Sequence, residues 1–354
     1  MTTSSYASSF GRLQAISSSF LSKEFIHSLV QAKDVPELTR LLESTSYGPE
    51  IERASSLYSS PELLEVALNR RIVEVNKLAL EATPFSGRAA IRAYLLKWDI
   101  HNIELILSSK MTGRTITETE HFLVSSRNIP ASISAGNILH DEMKIILSQT
   151  NVEGVVNQLV KYRYGTILMQ HLDSYQKTGD LGPMMADLMS YYYTNLMESI
   201  KFFQGDEGIV RDLFRAQIDK KNILSMLKGK KSDLDRDVVN KHIIKGGKIP
   251  MEILNDIFSF KSNEEFLSKV QEYYNLDEYL VTFRKSNSLI DFEVAFDKFI
   301  NRTYVKRLKN ISLSLGTIFY FIITAEYEWD NIKRIAFGKQ YNLPTERIKS
   351  VLLE

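Results

Sequence analysis

The sequence predicts an all-α protein, on three observations. One helical signature returns three times within 354 residues, apolar residues fall at helical spacing along most of the chain, and strand-like alternation is never sustained. Asn-Gly and Asp-Gly hairpin turns are also missing.

The signature reads Tyr94 to Lys110, Phe214 to Lys230 and Ile323 to Lys339. Anchoring the copies on Asn102-Ile103, Asn222-Ile223 and Asn331-Ile332 aligns further positions without a gap. An acid stands three residues earlier (Asp99, Asp219, Glu328), preceded by a large apolar residue (Trp98, Ile218, Tyr327). Ile106, Met226 and Ile335 follow the Asn by four, and Lys110, Lys230 and Lys339 by eight. Asn222 lies 120 residues after Asn102, and Asn331 a further 109. Those periods exceed the roughly 20 to 50 residues of solenoids and propellers, so each repeat is large enough to be a small domain. The expected organisation is a flexible polar tail over 1–9 and helical repeats over 10–130, 131–250 and 251–354.

Within each repeat the elements follow one order. Phe25, Ile26, Leu29, Val30, Leu38, Leu41 and Leu42 form an amphipathic stripe. Asp34 with Glu37 reads as a capping box, repeated as Thr150 with Glu153 and Ser262 with Glu265. The helices they open end near tyrosines: Tyr47, then Tyr162 and Tyr164, then Tyr273 and Tyr274. Long helical patterns come next, over about 62–81, 184–203 and 290–308. Each is closed by a glycine-bearing break: 83–87, 204–208, and the stretch ending at Gly316. The signature helix then returns antiparallel to the long one. Basic or glycine-bearing turns follow, and Arg127-Asn128-Ile129-Pro130 matches Gly247-Lys248-Ile249-Pro250, placing boundaries near both prolines. The third repeat ends in a helix over 344–354.

Composition is that of an ordinary globular protein, 44% hydrophobic and 25% charged. A formal charge of +1 argues against a nucleic-acid binder that neutralises many phosphates. With no cysteine, disulfides and thiolate chemistry are excluded, which fits a reducing compartment. Met1 to Ser9 lacks the regions of a signal peptide. Ile311 to Ala325 is strongly apolar but shorter than the about 20 residues of a membrane span, and reads as a buried helix.

Catalytic and cofactor motifs are missing. Gly229-Lys230 and Gly338-Lys339 lack the earlier glycine and following hydroxyl of a P-loop, and no Gly-x-Gly-x-x-Gly or Gly-x-Ser-x-Gly occurs. His27, His101, His121, His140, His171 and His242 never stand at His-x3-His spacing, so neither a metal nor another cofactor is expected. The signature admits two readings. In one, Asp99, Asp219 and Glu328 sit one turn before Asn102, Asn222 and Asn331 and bond loops or a partner helix, while the apolar positions fill the core. In the other, Lys110, Lys230 and Lys339 line a common rim or pore.

Residues 98–103 (Trp-Asp-Ile-His-Asn-Ile), 217–223 (Gln-Ile-Asp-Lys-Lys-Asn-Ile), 244–250 (Ile-Lys-Gly-Gly-Lys-Ile-Pro) and 325–335 (Ala-Glu-Tyr-Glu-Trp-Asp-Asn-Ile-Lys-Arg-Ile) together resemble the C subunit of archaeal A-type ATP synthases. The d subunit of vacuolar-type ATPases is its homologue. The closing Gly338-Lys339 and the Leu343-Pro344-x-Glu346-x-Ile348-Lys349 helix are part of that likeness, which covers nearly all the chain after its N-terminal tail. Ala336 and Ser125-Ser126-Arg127 depart from the usual pattern. The resemblance implies a funnel of three pseudo-threefold helical domains on the cytoplasmic face of the membrane. It implies as partners the proteolipid rotor ring and the central-stalk subunits, torque transfer between them, and no active site. A soluble helical scaffold unrelated to ion transport is the competing expectation.

Overall fold

A computed structural model describes residues 4–124, 136–202, 208–311 and 313–353. Among them every regular element is helical, so the chain is all-α. The first stretch holds α1 (Ser4–Ser17), α2 (Lys23–Leu29), α3 (Val35–Leu42), α4 (Gly48–Ser55), α5 (Glu62–Ala82), α6 (Phe85–Leu95), α7 (Lys97–Thr112) and α8 (Ile116–Glu120). Next come α9 (His140–Leu147), α10 (Val152–Leu159), α11 (Tyr164–Met169), α12 (Leu172–Thr178), α13 (Gly182–Ser199), α14 (Gly208–Lys231) and α15 (Arg236–Asn240). The last stretch holds α16 (Met251–Ser259), α17 (Asn263–Gln271), α18 (Val281–Ser286), α19 (Leu289–Ile300), α20 (Lys306–Leu308), α21 (Leu315–Gln340) and α22 (Thr345–Ser350).

The chain divides into two compact units. The first takes residues up to 166 together with 311–352, and the second essentially residues 167–310. In the first, α21 packs on α5, and the stripe read from the sequence is buried against the chain's far end. Ile26, Leu29, Leu38 and Leu42 share a core with Ile332, Ile335, Ile348 and Leu352. In the second, α14 packs against α16 and α19. Its core is aromatic: Phe266, Phe283, Phe292 and Phe296 meet edge to face, with centroids 5.4 to 6.3 Å apart. That geometry sets ring edges against ring faces, the arrangement favoured by aromatic quadrupoles.

Side-chain caps start the short helices where the sequence places them. Asp34 accepts from the Glu37 amide, and Glu37 reaches back to the Lys33 amide. Ser262 and Glu265 repeat this, with Glu265 accepting from Lys261. In the middle repeat the cap is Asn151, which accepts from Gly154, and not Thr150. The Asn151 backbone is extended and its amide oxygen reaches the third helical amide, as an N-cap requires.

Three further expectations change. The expected flexible tail over 1–9 is helical from Ser4; Tyr6 and Ser9 are buried, and the Ser9 hydroxyl donates to the Ala82 carbonyl at the end of α5. A short polar segment packs here because that free helix-end carbonyl satisfies its hydroxyl. Gly316 is not in the third break but in the first turn of α21, which Ser314 caps. The Ile311 to Ala325 segment therefore supplies the first half of a 26-residue helix, and no described helix is long and apolar enough to cross a membrane. The closing helix over 344–354 is shorter, ending at Ser350. Residues 125–130, with the Pro130 boundary, and most of the 204–208 break lie outside the described residues.

Candidate functional site

The signature helices are α7, α14 and α21, and each buries its acid and its asparagine. Asp99 accepts from the Tyr164 hydroxyl at 2.8 Å and from the amides of Asn137 and Ile138 at 2.7 and 3.2 Å. Asp219 accepts from the Tyr274 hydroxyl at 2.5 Å and from the amides of Lys248 and Ile249 at 2.7 and 3.2 Å. Glu328 accepts from the Tyr47 hydroxyl at 2.7 Å and from the Leu21 amide at 2.5 Å. Each acid thus clasps a tyrosine and a loop backbone.

The partners follow a cyclic order in the sequence. The acid of the first repeat takes the tyrosine of the second, the second takes that of the third, and the third takes that of the first. Each tyrosine trails the loop amides bound by the same acid by 25 to 27 residues, and a capped short helix (α3, α10 or α17) lies between them. The clasp therefore fixes both ends of a helical pair.

Asparagine performs a second tie. Asn102 donates to the Val124 carbonyl and accepts its amide, and Asn222 does the same with Ile244; both pairs are 22 residues apart. The gap-free register therefore holds up to Val124 and Ile244. Beyond that the first repeat has nine extra residues, since Asp99 binds an amide 39 residues on where Asp219 binds one 30 on. Asn331 is buried as well.

Glycine is required at two of the clasps. A Cβ on Gly136 would lie 2.2 Å from Asp99 Oδ1, and one on Gly247 would lie 2.0 Å from Asp219 Oδ1. The short Asp side chain bonds the loop only if the backbone comes this close.

Burial dominates the electrostatics. Removal from water pushes the Asp99 and Asp219 carboxyls up to about 6, against the opposing pull of their tyrosine and amide donors. Glu328 is raised for the same reason, with Tyr47, the Leu21 amide and nearby Arg71 pulling it down. The tyrosine hydroxyls of Tyr47 and Tyr274 are raised by burial and by the acids they face. These groups are spent on holding loops rather than exposed to a substrate.

Trp98, Ile218, Ile103, Ile223, Ile332, Ile106, Met226 and Ile335 are in the core as expected. Tyr327 is only half-buried; the indole on this helix, Trp329, packs edge-on against Trp98 at 5.6 Å and donates to Asn69. Tyr327 and Trp329 thus both sit at the border of the core, on either side of buried Glu328. The three lysines differ in setting. Lys110 donates to the Leu147 carbonyl at the end of α9, Lys230 is exposed and Lys339 is half-buried. Among the described residues no cluster of histidines and acids could hold a metal.

Sequence reading marked Tyr47, Tyr164 and Tyr274 as helix-end markers but missed that they are the acids' partners. The signal was available: each tyrosine recurs at one place in its repeat. It also missed Leu21, Gly136 and Arg70, which is buried on α5.

The profile of the ATP synthase (C/AC39) subunit family matches residues 10–351. The A-type ATP synthase C subunit of Thermoplasma acidophilum is 35% identical over 350 residues, spanning 99% of this chain and 98% of that one. The Thermoplasma volcanium protein of the same name is 33% identical, spanning 98% of both chains. That of Methanocaldococcus jannaschii is 28% identical over 93% of this chain and 81% of its own. With a profile match over nearly the whole length and these relatives end to end, the chain belongs to the ATP synthase (C/AC39) subunit family.

Proposed function

We propose that the chain is a non-catalytic connector in a rotary A-type ATP synthase, standing between the membrane rotor ring and the central stalk and passing torque from one to the other. The observation that carries this is the set of three clasps. A torque coupler has to be stiff, and here the recurring acids of the signature are consumed in ties to the tyrosine of another repeat, in cyclic order. Buried, fully bonded polar ties specify one arrangement, and close-packed helical cores deform little. Three repeats so linked would make the socket that the family resemblance implies, with repeats over 10–130, 131–250 and 251–354. The relatives' name supplies the complex. A peripheral place beside the membrane ring, at its cytoplasmic face, goes with that role, and no described helix is long and apolar enough to span a bilayer.

The test is reconstitution of the complex with and without this chain. With it, an ion gradient drives ATP synthesis; without it, the catalytic head still hydrolyses ATP but synthesis stops. A complex lacking the chain that still makes ATP, or hydrolysis by the isolated chain, would end this reading.

A further inference from the structure

Arg70 is 8% exposed and its Nη1 atom is buried without an acceptor. Guanidinium stays charged at any pH a protein survives, so burial cannot be relieved by losing the proton. Three other cations of the first unit with limited exposure each have an acid: Lys333 bonds Glu65 at 2.5 Å, Arg71 bonds Glu74 at 3.0 Å, and Lys97 pairs with Glu326. Arg70 is in the same unit and forms no such pair among the described residues. A buried charge lacking a partner is among the costliest features a fold can carry, and is retained where something else supplies the counter-charge.

Arg70 lines a cavity of about 30 Å³, walled also by Tyr58, Glu120, His121 and His140. That volume holds two or so waters, or the head of one carboxylate, and nothing as large as a nucleotide. The Tyr58 hydroxyl can donate beside the arginine fork, which matches a carboxylate with two parallel bonds, whereas His121 already donates Nδ1–H to the Thr117 carbonyl. Glu120 is on the wall but does not accept from Nη1. At His121 the cavity adjoins an open cleft of about 250 Å³, whose apolar lining includes Val35, Leu64, Leu68 and Phe337. Phe337 is 57% exposed and lies against exposed Tyr341, the rings tilted at 43° with centroids 4.5 Å apart.

We propose that Arg70 is the receptor for one carboxylate, carried by an acidic side chain of a protein partner whose neighbouring apolar residues lie in the adjoining cleft. The uncompensated charge selects the sign of the partner, and the narrow cavity selects a single anionic head. The cleft favours a peptide segment over a free ion, because a small ion would leave the exposed Phe337 ring at its wall uncovered, while Val35, Leu64 and Leu68 are already buried. This rests on the connector reading only in taking the partner from the other subunits of the complex.

Three measurements on the full chain test it. Arg70→Met removes a charge that has no acid partner among the described residues, so the isolated variant should melt higher than wild type; a lower melting temperature would show that the guanidinium is satisfied internally and overturn the proposal. Acetate, at constant ionic strength against chloride, should raise the wild-type melting temperature and leave Arg70→Met unmoved. No acetate effect overturns a carboxylate site, and an equal or larger effect of inorganic phosphate overturns the protein source in favour of a free oxyanion. Arg70→Met should bind the remaining subunits at least tenfold more weakly, and Arg70→Lys, which keeps charge but not the fork, should fall between. If wild type assembles and Arg70→Met assembles equally well, the carboxylate receptor is wrong and the connector stands; if wild type itself fails to assemble, the connector reading fails instead.

Discussion

Asp219, in the second unit, and Glu328, in the first, hold the same signature position with side chains that differ by one methylene. Asp219 is short, and its loop comes so close that Gly247 has no room for a Cβ. It binds two loop amides and one tyrosine. Glu328 reaches further, and the residue aligned with Gly247 is Ser19, whose hydroxyl accepts from Arg71 at 3.2 Å. Only one amide is left for Glu328, because the Phe20 amide is already spent on the Ser17 carbonyl. Asp99 with Gly136 follows the first pattern. Acid length and loop residue vary together, which is what a clasp of fixed function and variable reach requires.

The strongest way to break this comparison is at the glycine. Gly247→Ala should cost roughly 3 kcal/mol, because the new Cβ must displace a buried carboxylate or the loop, whereas Ser19→Gly should cost under about 1 kcal/mol. Denaturant unfolding of both variants checks the pair, and equal costs would refute the coupling of reach to loop residue. Next in size is the tyrosine. Tyr47→Phe leaves Glu328 with one donor and should cost about 2 to 3 kcal/mol, while Tyr274→Phe leaves Asp219 with two amides and should cost about 1.5 kcal/mol. The reverse ranking would mean that amide count does not set the strength of a clasp.

The smallest expected effect is on pH dependence. Burial raises the folded carboxyl of Asp219 to about 6, above its ordinary value of 3.8, so between those values the folded chain binds more protons than the unfolded one. Stability from this group is therefore full below about pH 4 and is lost as pH rises through 6. Relative to Asp219→Asn, wild type should gain about 1 to 2 kcal/mol on acidification from pH 7 to pH 4.5. Lys248 and the Tyr274 hydroxyl face this carboxyl and pull against burial. Glu328→Gln should shift the slope in the same direction but less, since Arg71 favours the ionised form. Denaturant midpoints at the two pH values decide it; a slope unchanged in Asp219→Asn would place the titration elsewhere.

Much of this was legible in one dimension. Apolar spacing marked the core faces of α2, α3 and the signature helices, and recurrence singled out the acids and asparagines before their partners were known. The short helices' caps were readable because capping is local, although Asn151 shows that neighbouring Thr and Asn compete for one role. Tyr327 departs from the expectation because buried Glu328 faces inward on α21, which leaves its neighbours Tyr327 and Trp329 both partly buried on either side of it. The tail was misjudged because composition alone does not reveal that the end of α5 leaves a carbonyl for Ser9. Arg70 carried no signal at all: an arginine in an amphipathic helix reads as solvated until its surroundings are seen.

What the sequence determined by itself is the helical class, the threefold recurrence and which residue types recur, because periodicity and capping act over a few residues along the chain. Only the tertiary structure decided that each acid meets a tyrosine of another repeat, and that Glu328 reaches 307 residues back to Leu21. It also decided that Arg70 is enclosed with Nη1 left unbonded. Hydrogen-bond partners across such separations depend on how helices pack, and packing is a property of the assembled core, not of any local stretch of chain.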